Sequence, residues 1–428
     1  MDFSAVTLTE AQQKFTDEVR AFLAEHLTAR GHAEMVGQTG DYFDEDLYLA
    51  LGARGWLMQQ WRREDGGAEL DDVCARILED ELDSRDELAG TDRLGVLSTT
   101  KLVWPAIESF AEPGLREELR QRVARGTAQV TLGYSEPDGG SDIAGARTRA
   151  VRDGDEWVIN GQKIFTTNAQ HAQYTFLITR TDPDLPKHLG LTMFLVPLDT
   201  PGIEIQALPT VGDERTNIVY YSDVRISDRY RVGEVNNGWT VLHGPLDAEH
   251  YIGDGGSKLL DISGGAGHLR WLRRAVQAAT AWAQETPAQD TASQDTASQD
   301  TAAQEASPAI TDPVFLAGLG RILVQIEAGL ATPGPMGRIK GADVAIAGCQ
   351  QLIDLTGPAA ILPEGADGAI DHGVIELAHR AVQVTATYGG TVEVFRTVIA
   401  QHHLGLPRPD YPGRKAFIQS GRAASTAA

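Results

Sequence analysis

The chain has 428 residues, 42% of them hydrophobic, which is enough apolar material for a globular protein of about three domains. Its 37 basic and 60 acidic residues give a net charge of −23, so neither nucleic acid nor an anionic membrane is expected as a partner. No apolar run approaches the ~20 residues of a membrane span, and Met1 to Ala5 carry no basic n-region before an apolar h-region. We therefore expect a cytoplasmic protein, without a disulfide framework or metal site at Cys74 or Cys349.

The first 128 residues predict a helical domain. Thr9 is a suitable N-cap for a first helix, whose apolar residues recur at helical spacing: Phe15, Val19, Phe22, Leu23 and Leu27. Further helical patterns end with a stop at Gly126 and cover 46–53, 71–86 and 115–124. We attribute the aromatic residues of this region to core packing.

The stretch 129–168 carries the most informative pattern of the chain. Asn160-Gly161 is a strong hairpin signal, because both central residues of a type I′ turn need a positive φ. We expect the turn there and a strand beyond it, with Phe165 and Thr167 on one face. Such a pair could place a ring against a flat ligand and a hydroxyl at its edge. The same residues also suit an ordinary half-buried strand.

A loop of small residues precedes this hairpin. Gly139 and Gly140 free the backbone to approach a ligand closely, while Ser135 and Ser141 supply hydroxyls at the two ends of the loop. The stretch closely resembles the middle-domain signature of the acyl-CoA dehydrogenase family, which combines a segment like SEPDGGSD with a segment like INGQKIFTTN. Two such motifs at the family's spacing are a specific signal.

The resemblance implies FAD as cofactor and a role for each matching residue. It places the backbone at Tyr134 and the hydroxyl of Ser135 on the flavin edge. It places Ser141 near the CoA thioester, Phe165 against the flavin face and Thr167 near the flavin N5 atom. The chemistry that it implies is the desaturation of an acyl-CoA thioester.

The rest of the chain predicts a small β domain followed by helices. Runs of β-branched and aromatic residues predict strands at 174–181, 191–197 and 217–226. The character changes at Gly238, and helical patterns then cover 259–285, a stripe of Leu319, Ile322, Leu323, Ile326 and Leu330, and the stretches 344–355 and 373–404. This order matches the family, so the expected fold class is multidomain α+β: an N-terminal helical domain (1–128), a middle β-barrel domain (129–240) and a C-terminal four-helix bundle (241–428).

A five-residue repeat of small polar residues occupies 286–308. Its composition cannot bury enough apolar surface to offset the entropy of ordering, so we interpret it as a disordered insertion. In ordinary homotetrameric members of the resembled family, an Arg-x-Gln-Phe-Gly motif at this place reaches the FAD of a neighbouring subunit. The chain lacks that motif.

The α proton of a thioester must be removed by a base, and a cofactor must accept the β hydride because no side chain does so. Most members of the resembled family place a Glu where this chain has Gly389. A minority, including isovaleryl-CoA dehydrogenase and actinobacterial steroid side-chain enzymes, place it in a Leu-x-x-Glu-Arg motif on the first helix after the β domain. The matching segment begins at Leu246 and makes Glu249 the candidate base, with Asp247 a candidate substrate contact. His250 replaces the usual Arg, and the alternative for Glu249 is a solvated carboxylate at a helix start.

The resemblance extends to other C-terminal residues. It implies that Arg380, Thr391 and Glu393 contact FAD. It also implies that the Gly389 backbone N–H helps to polarise the thioester carbonyl, as in an oxyanion hole. Within the family, the chain most resembles the heterotetrameric steroid side-chain enzymes. The segments that carry this resemblance are YYSDVRI, RVGEVNNGW and GLPRP.

The expected partners are an acyl-CoA, an electron-transfer flavoprotein or similar acceptor, and either a homologous second subunit in an α2β2 assembly or further copies of this chain. Two alternatives remain open. The chain could be the non-catalytic partner in such an assembly, or it could be a flavin monooxygenase or oxidase on the same fold.

Overall fold

The computed structural model describes residues 7–26, 43–83, 97–249, 265–285 and 309–407. The order of elements along the chain is helices, then strands, then helices. This order agrees with the expected fold class. The repeat at 286–308 and His250 lie outside the described residues. The last two residues of the GLPRP segment, Arg408 and Pro409, also lie outside them.

The N-terminal helices are α1 (Glu10–His26), α2 (Glu45–Ala53), α3 (Asp72–Asp83), α4 (Trp104–Phe110) and α5 (Pro113–Ala124). Thr9 and Gln12 form a reciprocal capping box, in which the Gln12 N–H donates to Thr9 Oγ1 and the Thr9 N–H to Gln12 Oε1. A π-helical segment, Leu97–Val103, leads into α4. The sequence analysis missed that segment and α4, because their polar and apolar residues follow no clear helical period.

The first three helices pack around one apolar cluster. Val19, Phe22 and Leu23 of α1 are buried against Leu51 of α2 and Leu78 of α3. Phe15, Phe43, Tyr48 and Trp56 lie in or against the same core, as expected, whereas Trp61 and Trp104 pack in a cluster that covers the sheet. Arg54 adds a cation above the rings of Phe22 and Trp56.

Eight strands form one sheet in the order β6-β7-β3-β2-β4-β5-β8, with β1 paired in parallel to β4. The strands are β1 (Val130–Gly133), β2 (Arg149–Asp153), β3 (Glu156–Lys163), β4 (Tyr174–Arg180), β5 (Leu191–Pro197), β6 (Ile203–Pro209), β7 (Arg215–Ser227) and β8 (Arg231–Val232). Two apolar clusters cover the sheet, and one of them continues into α4 and α5. β6 was missed because its burial is only partial and its sequence mixes charged with apolar residues.

The expected hairpin turn at Asn160-Gly161 was wrong. β2 pairs with β3 in antiparallel register from Arg149 to Asp153, so the two-residue connection is Gly154-Asp155. Gly161 instead lies inside β3, where the register with β7 shifts. A side chain there would bring its Cβ to 2.7 Å from the Thr148 Cα atom, so the glycine serves a bulge with close backbone approach rather than a turn.

The strand expected beyond that turn was also wrong. β3 ends at Lys163, and Phe165 and Thr167 follow in a loop. Phe165 has φ 58° and Asn168 has φ 62°. Because the backbone is left-handed at Phe165, the alternation of strand faces does not apply to these residues.

The C-terminal part contains α6 (Gly238–Glu249), α7 (Gly265–Glu285), α8 (Pro313–Leu330), α9 (Gly334–Thr356), α10 (Val374–Ala381) and α11 (Val392–Val398). α7 to α10 pack around one core that includes Leu272, Leu319, Leu352 and Ile375. The pattern at 373–404, which predicted one helix, is broken by 3-10 turns and by the glycines after Tyr388.

Helix α8 is the one helix within the described ranges that is long and apolar enough to match a membrane span. One face of this helix packs in the C-terminal core through Phe315, Leu319, Ile322 and Ile326. Of the predicted stripe, Leu323 lies outside that face and is 39% exposed.

Candidate active site

A buried ion pair joins the two signature segments. Lys163, fully buried at the end of β3, donates from Nζ to Glu136 Oε1 at 2.7 Å and to the Tyr134 carbonyl at 3.3 Å. Glu136 also accepts the backbone N–H groups of Arg147 and Thr148, at 2.7 and 2.9 Å. Burial lowers the pKa of Lys163 to about 8 against the opposing pull of Glu136. Although burial acts in the other direction, Lys163 and these donors hold the pKa of Glu136 below its usual range.

This pair fixes the position of the loop that should line the cofactor. The Ile164 N–H donates to the Ser135 carbonyl at 3.0 Å, which joins the same two segments a second time. Tyr134 is buried with its ring edge-on to Phe176, and Ser135 is half-buried. Ser141 lies six residues further along the loop and is exposed. The loop backbone from Tyr134 to Ser135 is therefore held by hydrogen bonds to the end of β3 and the residue after it, while Ser141 is exposed.

Phe165 and Thr167 are held by the loop after β3. Phe165 is 62% exposed and its backbone has the unfavourable left-handed conformation; strained backbone of this kind clusters at functional sites. Thr167 Oγ1 lies 3.1 Å from Thr216 Oγ1, and the Thr167 carbonyl accepts the Thr131 hydroxyl at 2.5 Å. These bonds connect Thr167 to β1 and to the start of β7.

Arg380 joins the turn between β6 and β7 to α10. It forms ion pairs with Glu376 at 2.5 Å and Asp213 at 2.6 Å, and it donates to the Val211 carbonyl at 2.9 Å. The bonds to Glu376 and Asp213 raise the pKa of Arg380. Its guanidinium thus has a structural role in packing the helical domain on the sheet, whatever it contributes to a cofactor.

Thr391 and Glu393 stand at the start of α11. Thr391 is the N-cap residue, since its hydroxyl accepts the Val394 N–H at 3.3 Å. The Glu393 side chain is 72% exposed and lies 3.3 Å from Arg396. Helix capping is therefore a sufficient reason for a threonine at 391, and Glu393 has an intrahelical partner.

The turn that contains Gly389 has left-handed backbone at two successive glycines, with φ 56° at Gly389 and 89° at Gly390. The preceding Tyr388 carbonyl accepts a hydrogen bond from the buried Arg338 at 2.9 Å. Among the residues that the structure describes, the Gly389 N–H makes no hydrogen bond to a protein acceptor. This amide is a donor available to a ligand carbonyl.

Helix α6 is the first helix after the sheet, as the position of the candidate base requires. Val241 and Leu242 bury it against the core shared with α4 and β5, and Leu246 packs on the same cluster. Asp247 is half-buried. Glu249 is the twelfth residue of α6, so the alternative of a helix-start carboxylate stabilised by the N-terminal dipole was wrong.

Sequence reasoning missed three residues that organise this region: Glu136, Lys163 and Arg338. A lysine four residues after an isoleucine in a strand, and an arginine in a helix with many apolar residues, were the available signals. No group of three or more His, Cys, Asp or Glu that could hold a metal ion occurs among the described residues.

The arrangement fits a flavin. A loop free of side chains at Gly139 and Gly140, an exposed aromatic ring at Phe165 and a hydroxyl at Thr167 suit the edge and the face of a planar ring system. The Phe165 conformation is the structural observation that favours this fit, because it presents the ring outward at a cost in backbone strain.

Comparisons with known proteins agree with this architecture. Family models for the acyl-CoA dehydrogenase N-terminal domain and middle domain match residues 9–127 and 131–224. Acyl-CoA dehydrogenase FadE26 of Mycobacterium tuberculosis is 30% identical over 416 residues, covering 94% of this chain and 99% of that protein. Acyl-CoA dehydrogenase IpdE1 of the same organism is 26% identical over 405 residues, covering 92% of this chain and 98% of that protein.

Solved structures show the same relationship. The ChsE4-ChsE5 complex from Mycobacterium tuberculosis contains a chain that is 28% identical with a TM-score of 0.74, covering 95% of this chain and all of that one. The Tcur3481-Tcur3483 steroid ACAD contains a chain that is 26% identical with a TM-score of 0.73 and the same coverage. The enzyme class that the motifs predicted is confirmed: this chain belongs to the acyl-CoA dehydrogenase family, whose members are FAD-dependent enzymes.

Proposed function

We propose that this chain is the catalytic subunit of an FAD-dependent dehydrogenase that introduces an α,β double bond into a bulky acyl-CoA, such as a steroid side-chain thioester. The observation that carries the proposal is the combination of a glycine at residue 389 with a glutamate on α6, the first helix after the sheet. Similarity to the Tcur3481-Tcur3483 steroid ACAD supports the substrate class.

The reaction requires a base at the α carbon and polarisation of the thioester carbonyl. In our proposal Glu249 removes the α proton, and the Gly389 N–H donates to the carbonyl oxygen as negative charge develops there. FAD, when bound, supplies the hydride acceptor for the β carbon. Phe165 and Thr167 would hold the flavin face and its N5 edge, while Ser135 and the Tyr134 backbone would hold the pyrimidine edge.

Ser141 and Asp247 are the proposed substrate contacts. Arg380, Thr391 and Glu393 are proposed near the FAD, although the first is bound to Glu376 and Asp213 and the second caps α11. A substitution at Arg380 would therefore affect domain packing as well as flavin affinity.

The same comparison supports a proposal about subunit composition. ChsE4-ChsE5 and Tcur3481-Tcur3483 are complexes of two different chains. We propose that this chain likewise assembles as α2β2 with a homologous subunit. An electron-transfer flavoprotein or a similar protein would reoxidise the flavin.

The deciding experiment is anaerobic mixing of the flavin-loaded protein with a series of CoA thioesters, from butyryl-CoA to steroid side-chain thioesters. A dehydrogenase must bleach the flavin absorbance and yield the enoyl-CoA stoichiometrically. We expect the fastest bleaching with the bulky thioesters. Flavin that is reoxidised by oxygen with substrate hydroxylation, and that no acyl-CoA bleaches without oxygen, would instead identify a monooxygenase or oxidase.

A second candidate function is that of a non-catalytic partner subunit. The observation that favours it is the missing carboxylate at Gly389. Substituting Glu249 in the assembled enzyme separates the two functions, because a partner chain without the base would tolerate Glu249→Gln at full activity. Loss of turnover with retained flavin would assign catalysis to this chain.

A further inference from the structure

Arg338 is the most unusual charged residue of the C-terminal domain. It lies in the second turn of α9 and is 1% exposed. Its NH1 donates to Thr385 Oγ1 at 3.0 Å and its NH2 to the Tyr388 carbonyl at 2.9 Å. The Nε atom is buried without an acceptor.

No carboxylate neutralises this cation among the described residues. Its guanidinium is instead placed 4.8 Å from the centre of the Tyr388 ring and 5.7 Å from that of Phe395. Aromatic faces and neutral oxygens offset part of the desolvation cost of a buried arginine. Among the described residues no anion offsets its positive charge, so the groups that Arg338 contacts experience its electrostatic field.

The hydrogen bond to Tyr388 acts on the peptide unit that matters for the proposed chemistry. The Tyr388 carbonyl and the Gly389 N–H belong to the same peptide group. A cation that binds the carbonyl oxygen draws electron density toward it and makes the N–H of that group a stronger donor, since hydrogen bonds in a chain polarise one another. The same bond fixes the orientation of this peptide plane.

We infer that Arg338 is a positioning residue that holds and polarises the Tyr388–Gly389 peptide, so that the Gly389 N–H stabilises negative charge on the thioester oxygen. The inference rests on the proposed function, because it assigns that N–H to the substrate carbonyl. Arg338 itself does not touch the substrate. Its charge lies behind the donor, in a place where water cannot screen it.

Arg338→Lys and Arg338→Met test this role in the flavin-loaded assembly. Lysine keeps the charge but lacks the planar guanidinium that binds Thr385 and Tyr388 together. Methionine fills the space without a charge. We expect kcat to fall roughly 10-fold in Arg338→Met, less than the loss for direct removal of an oxyanion donor, and by a smaller factor in Arg338→Lys.

Two readouts separate this role from a purely structural one. The first is the infrared stretching frequency of a ¹³C-labelled thioester carbonyl in the 3-thia analogue of the best substrate, which binds but cannot lose a β hydride. The second is amide hydrogen exchange of the peptide that contains Gly389, measured without substrate. Leu352→Ala, in the same helix and distant from Tyr388 in sequence, is the matched control for lost stability.

The wild-type protein should lower the carbonyl frequency of the bound analogue, and Arg338→Met should reverse most of that shift. Arg338→Met should also slow exchange at the Gly389 amide, because a less polarised N–H is less acidic. Leu352→Ala should lower the melting temperature with the frequency unchanged. An equal frequency shift in wild type and Arg338→Met would overturn the inference and leave the proposed function intact. A wild-type protein that desaturates no CoA thioester would overturn the proposed function and, with it, this role.

Discussion

At the scale of single residues, the site combines groups that bear directly on chemistry with buried groups that hold them. Lys163 and Glu136 belong to the second kind, because their ion pair ties β3 to the loop from Tyr134 to Ser135. A buried pair of this kind contributes little net stability relative to apolar residues, but breaking it is costly.

Lys163→Met should therefore destabilise the protein more than loss of any exposed ion pair. It would leave the Glu136 carboxylate buried with two backbone donors and no cation, a change that we expect to cost roughly 3–5 kcal/mol. Urea unfolding measures this loss in the free energy of unfolding. Arg147→Met, which removes an exposed pair with Asp138, is the control and should cost less than about 1 kcal/mol. Equal effects of the two variants would contradict the prediction.

Glu249→Gln tests the proposed base. The amide is isosteric but cannot accept the α proton, so we expect turnover to fall by at least roughly 10²-fold while flavin content stays unchanged. Stopped-flow reduction of the flavin by the best acyl-CoA is the measurement. Restoring the commoner placement, with Gly389→Glu and Glu249→Gly together, should recover part of the activity. A fully active Glu249→Gln protein would remove Glu249 from the mechanism.

Glu214, at the end of the turn between β6 and β7, makes stability depend on pH. Burial raises the pKa of its carboxyl to about 7 from an ordinary value of 4.5, although part of the residue's surface stays accessible. The folded protein then binds more protons than the unfolded chain between these values. The free energy of unfolding is therefore higher below pH 4.5, and this contribution is lost as the pH rises through 7.

Glu214→Gln should remove this dependence. Between pH 5 and 8 the variant should gain roughly 1–3 kcal/mol of unfolding free energy relative to wild type, after allowance for partial solvation. Chemical denaturation at a series of pH values measures the difference. Parallel stability curves for the two proteins would show that the carboxyl titrates normally.

At the scale of elements, the turn between β6 and β7 links the sheet to the helices. Arg380 of α10 binds Asp213 and the Val211 carbonyl, while Thr216 at the start of β7 contacts Thr167. The Thr167 loop and α10 are therefore connected through a single hairpin. A shift of α10 would be transmitted to the proposed flavin edge through these bonds.

The repeat at 286–308 separates α7 from α8, whose apolar faces share one core. We expect that replacing 286–308 with a short Gly/Ser linker leaves the melting temperature and flavin content nearly unchanged, because loop-closure entropy grows only logarithmically with length. Differential scanning calorimetry and the ratio of flavin to protein absorbance measure both quantities. A large loss of either would show that the repeat makes contacts of its own.

At the scale of the whole molecule, the proposed α2β2 assembly makes a prediction about cofactor content. If a homologous subunit supplies the Arg-x-Gln-Phe-Gly contacts that this chain lacks, the flavin pyrophosphate loses charge-assisted hydrogen bonds in its absence. The chain expressed alone should purify with little FAD, and with that subunit it should be yellow and active. A fully flavinated homotetramer that oxidises acyl-CoA would refute the proposed assembly.

The sequence alone determined the family, the three-part order and most elements, because short motifs and apolar periodicity are local properties of the chain. It predicted the helix beginning after Thr9 and the β5 strand within a residue or two. It also indicated where the carboxylate of the commoner family pattern is missing, since Gly389 can be read directly from the sequence.

Only the tertiary structure showed the structural roles of Gly161 and Arg338. Asn160-Gly161 has the composition of a turn, yet the close approach of Thr148 makes Gly161 part of a bulge. Arg338 has no local partner in sequence, and its carbonyl acceptor lies 50 residues away. Backbone conformation and long-range hydrogen bonds depend on which segments fold together, and no local pattern of residues encodes that proximity.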